Sequence, residues 1–351
     1  MIVINGDFYD HNITGVQRYA YEVIEKLDEL ITEGELSSSD FVLLVPKDLK
    51  KLPEYRSLQV VRFGKNRRLF WQQWDLFHYC KKHRAICLCL CTAVPFLYPE
   101  RSAIVLHDAA TKAHPEFYSR RFLLQNQLLL WKHAKRYRKI FTVSQFSRGE
   151  ISRYSGVAEE KITVVPSSAE HMERIEADEG IFRKLPPLGE EWYFTLSSLS
   201  PNKNYRWIIR EADRNPGARF VISGMKLRPF SEEKMGEIPE NVIFTGYLSD
   251  GEVKALMQKC TAFLFPTFYE GFGLTPLEAM SCGARIILSD TPCMREVYGE
   301  SALYIDPLRT DYVLSELLKE EKPAELREET LRKYSWKRDA RRIAEELLSL
   351  Q

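Results

Sequence analysis

The sequence lacks most of the signatures that settle a function at sight. Among its 351 residues no apolar run approaches the roughly 18 residues of a membrane span. No basic n-region with an apolar h-region opens the chain, so the expectation is a cytoplasmic protein. Seven cysteines follow no even framework, which excludes a disulfide scaffold. Cys87, Cys89 and Cys91 alternate on an apolar strand and share one face. That pattern fits three small buried hydrophobes better than a metal or redox cluster, because metal pairs usually have two residues between ligands. There is no G-x-x-x-x-G-K-[ST], so a P-loop ATPase is unsupported. No G-x-G-x-x-G follows the first strand, so a dinucleotide oxidoreductase is unsupported as well. No Asp-x-Asp pair occurs, which removes a common carboxylate grip on a divalent cation.

What is present is a charged, globular composition with an uneven charge distribution. Hydrophobic residues make up 44% and charged residues 28%, and the length favours two domains over one. Residues 1–166 hold 25 Lys+Arg against 18 Asp+Glu, whereas the rest holds 25 against 31. A basic front half points to an anionic partner or an anionic membrane surface.

The apolar pattern alternates between short bounded runs and helical periods. In the first half, strands are expected at residues 1–5, 41–45, 60–63, 86–90, 103–106, 140–143 and 162–165. Helices are expected from Gly15 onward and over residues 122–137, with Ser144 capping another. Residues 65–84 interleave Arg67, Arg68, Lys81, Lys82 and Arg84 with Phe70, Trp71, Trp74, Phe77 and Tyr79. Trp71, Trp74 and Phe77 fall at helical spacing, which predicts a helix packed on its domain. A membrane-facing or acceptor-docking surface is the other reading, and no nucleic-acid motif accompanies it. Residues 167–191 read as a linker plus one helix. A second βα series follows, ending in an amphipathic helix over residues 336–350. This rhythm predicts an α/β protein with two facing Rossmann-like domains and a cleft lined by strand C-terminal ends.

One stretch organises the rest. Residues 261–290 read as strand, glycine-bearing loop, short helix and second strand. Gly271 and Gly273 let the backbone approach a ligand closely. Thr275 as N-cap, Pro276 at the first helical position and Glu278 three residues after the cap predict a capping box, with Gly283 ending the helix. A helix N-terminus aimed at the top of a sheet is an anion site. Lys203, just after a strand, can neutralise a phosphate there. Glu278 either caps its own helix or joins Glu270 in accepting hydrogen bonds from ligand hydroxyls. His107-Asp108, at the C-terminal end of a strand, is either a site pair or a hydrogen-bonded loop pair. Gly15 either admits a phosphate or makes a tight turn, and Arg18 is either solvated or faces the cleft.

With these residues in view, nearly the whole chain resembles the retaining family 4 glycosyltransferases of GT-B fold, in the flavour of bacterial O-antigen, capsule and exopolysaccharide enzymes. Residues 270–280, EGFGLTPLEAM, are similar to the family's E-x₇-E motif. The blocks ITGVQRY (13–19), His107-Asp108, VSQFS (143–147), PNKN (201–204) and YSW (334–336) are similar to family blocks too. The resemblance implies an acceptor domain over 1–167 and a nucleotide-sugar domain over 168–333, of which 168–191 is linker. Residues 334–351 would form a helix returning to the first domain.

The resemblance also implies roles. Glu270 would bind donor-sugar hydroxyls, helped by backbone N–H groups of Gly271, Phe272 and Gly273. Leu274 and Thr275 would offer backbone N–H groups to the diphosphate. Glu278 would hold the ribose hydroxyls and Lys203 the leaving phosphate. His107 would line the sugar and acceptor pocket, with Asp108 and Arg18 on the acceptor side, and Gly15 would let the first-domain loop approach the donor. Family members commonly carry an Arg beside that Lys, at the positions of Ser198 or Asn202 here. A single cation would then face a diphosphate of about two charges, unless Arg18 or Lys226 compensates. The implied activity is a metal-independent, retaining hexosyl transfer from a nucleotide diphosphate sugar to a glycan or polyprenyl-linked oligosaccharide acceptor, for lipopolysaccharide or capsule synthesis. It needs no cofactor and no nucleic acid, and places the protein in the cytoplasm with peripheral contact at the inner membrane face. A non-catalytic GT-B subunit that binds nucleotide sugar or glycan is the alternative.

Overall fold

The computed structural model describes residues 1–91, 93–196, 200–224 and 238–351. Ser198 and Lys226 therefore lie outside the described residues. Contacts divide the chain into two compact units, Met1–Ser167 with Ser335–Gln351, and Ser168–Tyr334.

The first unit holds a seven-stranded parallel sheet in the order β3-β2-β1-β4-β5-β6-β7. Its strands are β1 (Ile2–Asn5), β2 (Phe41–Pro46), β3 (Gln59–Phe63), β4 (Ile86–Cys89), β5 (Ser102–Val105), β6 (Lys139–Thr142) and β7 (Ile162–Val164). The apolar runs of β1, β2, β4 and β5 are buried along their whole length, as a parallel sheet covered on both faces requires. Gly6 follows β1, where a Cβ would stand 2.7 Å from Val45 Cγ1 and 2.9 Å from the Leu44 carbonyl. Cys87 and Cys89 are wholly buried with sulfurs 3.8 Å apart, and Cys91 is partly buried. The neighbouring Cys80 and burial push the Cys87 thiol well above the usual range, and burial with the Cys87 contact does the same to Cys89. The three side chains are small core hydrophobes.

Helix α1 (Gly15–Thr32) starts from Thr14, whose side chain and Gln17 form a capping box. α2 (Arg120–Leu129) is shorter than its periodicity suggests, and a 3₁₀ stretch, Trp131–Arg136, replaces its expected last turns. The Tyr137 hydroxyl lies 2.7 Å from the Leu130 carbonyl and 3.2 Å from that of Leu129, satisfying acceptors where the helix breaks. α3 (Gln145–Ser155) is capped by Ser144, which accepts from the Ser147 N–H at 2.9 Å, and closes on Gly156 in the left-handed region. The terminal helix, labelled below, packs along α1. Lys337 reaches Glu29 and Glu33 at 2.8 and 2.7 Å, and Arg341 binds Glu35 through both nitrogens.

The helical stretch that follows β3 departs from a plain 3.6 period. Residues Trp71–Leu76 form a π segment between two α turns. The wider turn moves the buried stripe to Trp71, Gln72, Asp75, Leu76 and Cys80, and turns Trp74 outward. The spacing of Trp71, Trp74 and Phe77 therefore misplaces the packed face. Phe70 and Trp74 are 77% and 61% exposed. The expected linker helix is likewise absent, because residues 168–191 form two 3₁₀ turns, Glu170–Arg174 and Glu179–Arg183.

The second unit carries a six-stranded parallel sheet in the order β10-β9-β8-β11-β12-β13. These are β8 (Trp192–Leu196), β9 (Arg219–Ser223), β10 (Val242–Gly246), β11 (Ala262–Phe265), β12 (Ile286–Ser289) and β13 (Leu303–Ile305). Helices α4 (Tyr205–Arg214), α5 (Asp250–Lys259) and α6 (Leu274–Ser281) belong to it, and α7 (Trp336–Leu348) is the helix that returns to the first unit. Strand order reverses between β8 and β11, so the loops after those two strands meet at a topological switch point.

Glu211 on α4 is wholly buried, and burial pushes its carboxyl up to about 7 against the pull of the nearby Tyr312 backbone and the Arg214 charge. A carboxyl raised in the folded state favours folding most at pH below its unfolded value of 4.5, and that contribution is lost as pH climbs through about 7. The full span is on the order of 3 kcal/mol. Glu211→Gln should melt higher than the wild type at pH 8 and no higher at pH 5, as thermal unfolding followed by circular dichroism will show.

Candidate functional site

The sequence candidates of the second unit converge on its switch point. After β8 the chain makes a 3₁₀ turn, Pro201–Lys203, and Asn204 adopts φ +54 before entering α4. The loop after β11 is tied to that turn. The Phe268 N–H donates to the Asn202 carbonyl at 2.8 Å, and the buried Thr267 hydroxyl lies 2.9 Å from the same oxygen. The Asn202 side chain bonds Ser200 within its own turn. Asn202 thus fixes one loop against the other.

Two charges meet on this frame. Lys203 Nζ lies 2.6 Å from Glu270 Oε1, over the Phe265 ring at 5.1 Å, with both side chains mostly buried. The Thr267 hydroxyl lies 2.9 Å from the same Glu270 oxygen. Each charge is compensated by the other, which avoids the cost of a half-buried unpaired ion.

The glycine loop then turns into α6. Gly273 has φ +83, and a Cβ there would stand 2.7 Å from Met294 Cε. Its carbonyl accepts from the buried Tyr298 hydroxyl, and Phe272 packs edge-on against Tyr334 at 5.1 Å. Gly273 is also the N-cap of α6, which corrects the capping-box expectation for Thr275 and Glu278. The left-handed glycine starts the helix one residue before Thr275. Glu278 is then the fifth helical residue, too far along to reach back to the cap. Pro276 keeps a first-turn place, where its missing N–H costs nothing. The N–H groups of Leu274 and Thr275 have no partner within the helix and remain for a ligand. Gly283, at φ +90, ends the helix as expected.

Glu278 Oε1 instead meets His171 Nε2 at 2.9 Å. His171 was not singled out in the sequence. It lies in the expected linker, and its partner is 107 residues away. No local spacing signals such a contact.

In the first unit His107 follows β5. Its Nε2 lies 2.9 Å from the Leu90 carbonyl, an acceptor only, so Nε2 carries the proton and Nδ1 is free of one. Tyr19 presents a ring edge to His107 at 5.0 Å and packs on Trp336 at 5.5 Å, and its hydroxyl donates to Val165. The Ser147 hydroxyl donates to the His107 carbonyl at 3.1 Å. Three blocks distant in sequence therefore brace one imidazole. Asp108 accepts from the Ala110 N–H at 2.8 Å. A cavity of about 380 Å³ opens beside the pair, lined among others by Val16, Cys91, Tyr118, Asn126 and Trp131. Gly15 borders open space and does not have a positive φ, so no tight turn requires it. Arg18 forms an ion pair with Glu22 at 3.8 Å on α1. Among the described residues no group of three or more His, Cys, Asp or Glu is arranged to hold a metal ion, and no helix is long and apolar enough to cross a membrane.

Burial lowers the His107 imidazole to about 4, with the Leu90 hydrogen bond opposing. A base depressed in the folded state gives up stability as pH falls from 6.5 toward 4, because the unfolded chain takes the proton first. His107 should stay neutral through pH 5–8. Its imidazole nitrogen chemical shifts should be flat over that range, and a midpoint near 6.5 would contradict the burial argument.

Comparison with known proteins gives the chain its relatives. Residues 177–329 match the family described as Glycosyl transferases group 1. The chain is 24% identical over 331 residues to O-antigen chain mannosyltransferase B of Escherichia coli, covering 87% of this chain and 86% of that protein. It is 26% identical over 219 residues to O-antigen chain mannosyltransferase RfbU of Salmonella typhimurium, covering 61% of this chain and 58% of that one. The structure of Anabaena HepE in complex with UDP and glucose superposes with a TM-score of 0.69 at 16% identity, covering 99% of each chain. Residues 177–329 are a group 1 glycosyl transferase domain, and the chain is a glycosyltransferase of GT-B fold.

Proposed function

We propose that this glycosyltransferase moves a hexosyl group from a nucleotide diphosphate sugar to a glycan acceptor of bacterial surface polysaccharide, with retention of anomeric configuration and without a metal ion. The observation that carries the reading is the Lys203–Glu270 pair at the switch point, beside the free N–H groups that open α6. The ammonium faces the leaving diphosphate, the carboxylate takes sugar hydroxyls, and the backbone N–H groups of residues 271–275 take phosphate and sugar oxygens. Mannose is the first candidate sugar, since both O-antigen relatives are named mannosyltransferases.

In the transfer the bond from the anomeric carbon to the phosphate oxygen breaks and the acceptor oxygen bonds to the same face. The acceptor proton passes to the departing phosphate. No carboxylate is assigned as a nucleophile, because Glu270 is given to the sugar hydroxyls and Glu278 to the ribose. Stabilising charge on the leaving group is the larger part of the catalysis. His107, neutral and braced, lines the acceptor pocket and positions rather than attacks. The acceptor is a lipid-linked oligosaccharide, and the exposed Phe70 and Trp74 beside Arg67 and Arg68 support peripheral contact with an anionic membrane.

Transfer from GDP-mannose and UDP-glucose to a polyprenyl-linked acceptor, followed by proton NMR of the new linkage, tests the reaction. Lys203→Ala and Glu270→Ala should each lower kcat by about 10²–10³-fold, the scale of one preorganised donor. EDTA should leave the rate unchanged and the anomeric coupling should match the donor's. An inverted product, or full activity in Lys203→Ala, would refute the mechanism. Sedimentation with phosphatidylglycerol vesicles should be lost in the Phe70→Ser/Trp74→Ser double variant while transfer to a soluble acceptor persists.

A further inference from the structure

His171 is one of the few histidines wholly withdrawn from solvent, and its place is set from two sides. Its 3₁₀ turn, Glu170–Arg174, is held by Lys254 of α5, whose ammonium donates at 2.8 Å to the carbonyls of both Met172 and Ile175. Ser168, which opens the second unit, donates to the Tyr334 carbonyl at 3.2 Å. The imidazole is therefore presented to α6 by a fixed backbone rather than by a mobile loop. It meets the carboxylate of Glu278 there, at 2.9 Å through Nε2.

A carboxylate on a helix can rotate about its last torsion almost freely. Its two oxygens offer about four acceptor sites, which suits a vicinal diol only if the plane is fixed. An N–H at one oxygen fixes that plane and leaves the second oxygen for a hydroxyl. Among the described residues the carboxylate's hydrogen bond is the one at Oε1, so Oε2 remains for a ligand.

We propose that His171 is a positioning residue for nucleotide recognition: by donating from Nε2 to Glu278 Oε1 it fixes the carboxylate so that Oε2 accepts from the ribose hydroxyls of the donor. The proposal rests on the assignment of Glu278 to the ribose. Without His171 the carboxylate turns among several orientations, and the diol loses its preorganised acceptor while the diphosphate and base contacts remain. The consequence is a loss of discrimination for ribose, not a general loss of affinity.

The test compares GDP and UDP with their 2′,3′-dideoxy counterparts, titrated calorimetrically into the full chain. The wild type should prefer the ribose form by about 10–100-fold, the scale of hydrogen bonds to a charged acceptor. His171→Ala should shrink that preference by about tenfold and leave the dideoxy affinity unchanged. His171→Gln, which keeps a donor at the position of Nε2, should restore most of it. If the wild type prefers the ribose form but His171→Ala retains the full preference, the positioning role is wrong and the ribose reading of Glu278 stands. If both forms weaken equally in His171→Ala, the residue is merely structural and the proposal fails in the same way. Equal binding of both forms by the wild type would overturn the assignment of Glu278 itself, and the proposal with it.

Discussion

Holding an ammonium 2.6 Å from a carboxylate in a mostly buried place demands a rigid frame, and the second unit is organised to supply it. Two loops after adjacent parallel strands must keep a fixed spacing. The Asn202 carbonyl does this by accepting from Phe268 and Thr267, while the Thr267 hydroxyl also touches Glu270. Parallel strands that diverge in connectivity at the switch point leave room for both loops. Left-handed Gly273 then lets the chain turn from Glu270 into α6 with its carbonyl on Tyr298. Take away the pairing and either charge would have to be rehydrated, at a cost of several kcal/mol. The pair is a constraint on the loops as much as a product of them.

The first unit shows the same logic around a neutral group. His107 has its proton placed on Nε2 by one carbonyl, its ring braced by Tyr19, and its backbone held by Ser147. Tyr19 is in turn packed on Trp336 of the returning helix, so the C-terminal segment contributes to the environment of the imidazole. That gives the YSW block at 334–336 a physical reason. It anchors a helix whose Lys337 and Arg341 grip acidic residues on and just after α1, and it closes the packing behind the histidine.

Much of this was legible in the sequence, and what was not has identifiable causes. The seven strands of the first sheet were read to within one residue at either end, because buried parallel strands are short, continuous apolar runs stopped by turn residues. Lys203, Glu270 and His107 were legible as residues at the C-terminal ends of such runs. The cap of α6 was misread because Thr-Pro-x-Glu satisfies the capping pattern, whereas a left-handed glycine two residues earlier takes the role and no local rule ranks the two. The π segment at Trp71–Leu76 inserts a residue into the turn, and a period of 3.6 assigns the wrong face there. His171 was invisible because its meaning comes from a carboxylate in another element.

On the proposed function, the electrostatic balance of the donor site follows from the Lys203–Glu270 contact. Lys203 is neutralised by Glu270 within the second unit. On the proposed reading, a diphosphate bringing about two negative charges meets a cation already paired with a carboxylate. The proposal therefore draws part of its stabilisation from dipoles: the N–H groups at the start of α6, which carry a partial positive charge, and those of the glycine loop. In that proposal Lys203 turns to the phosphate as Glu270 exchanges its ammonium partner for sugar hydroxyls. Binding of the sugar and release of the lysine toward the phosphate would then be coupled through one carboxylate. A nucleoside diphosphate without its sugar would meet a lysine still held by Glu270, so on the proposed reading the intact donor would engage the cation better than the product, favouring release of the nucleotide after transfer.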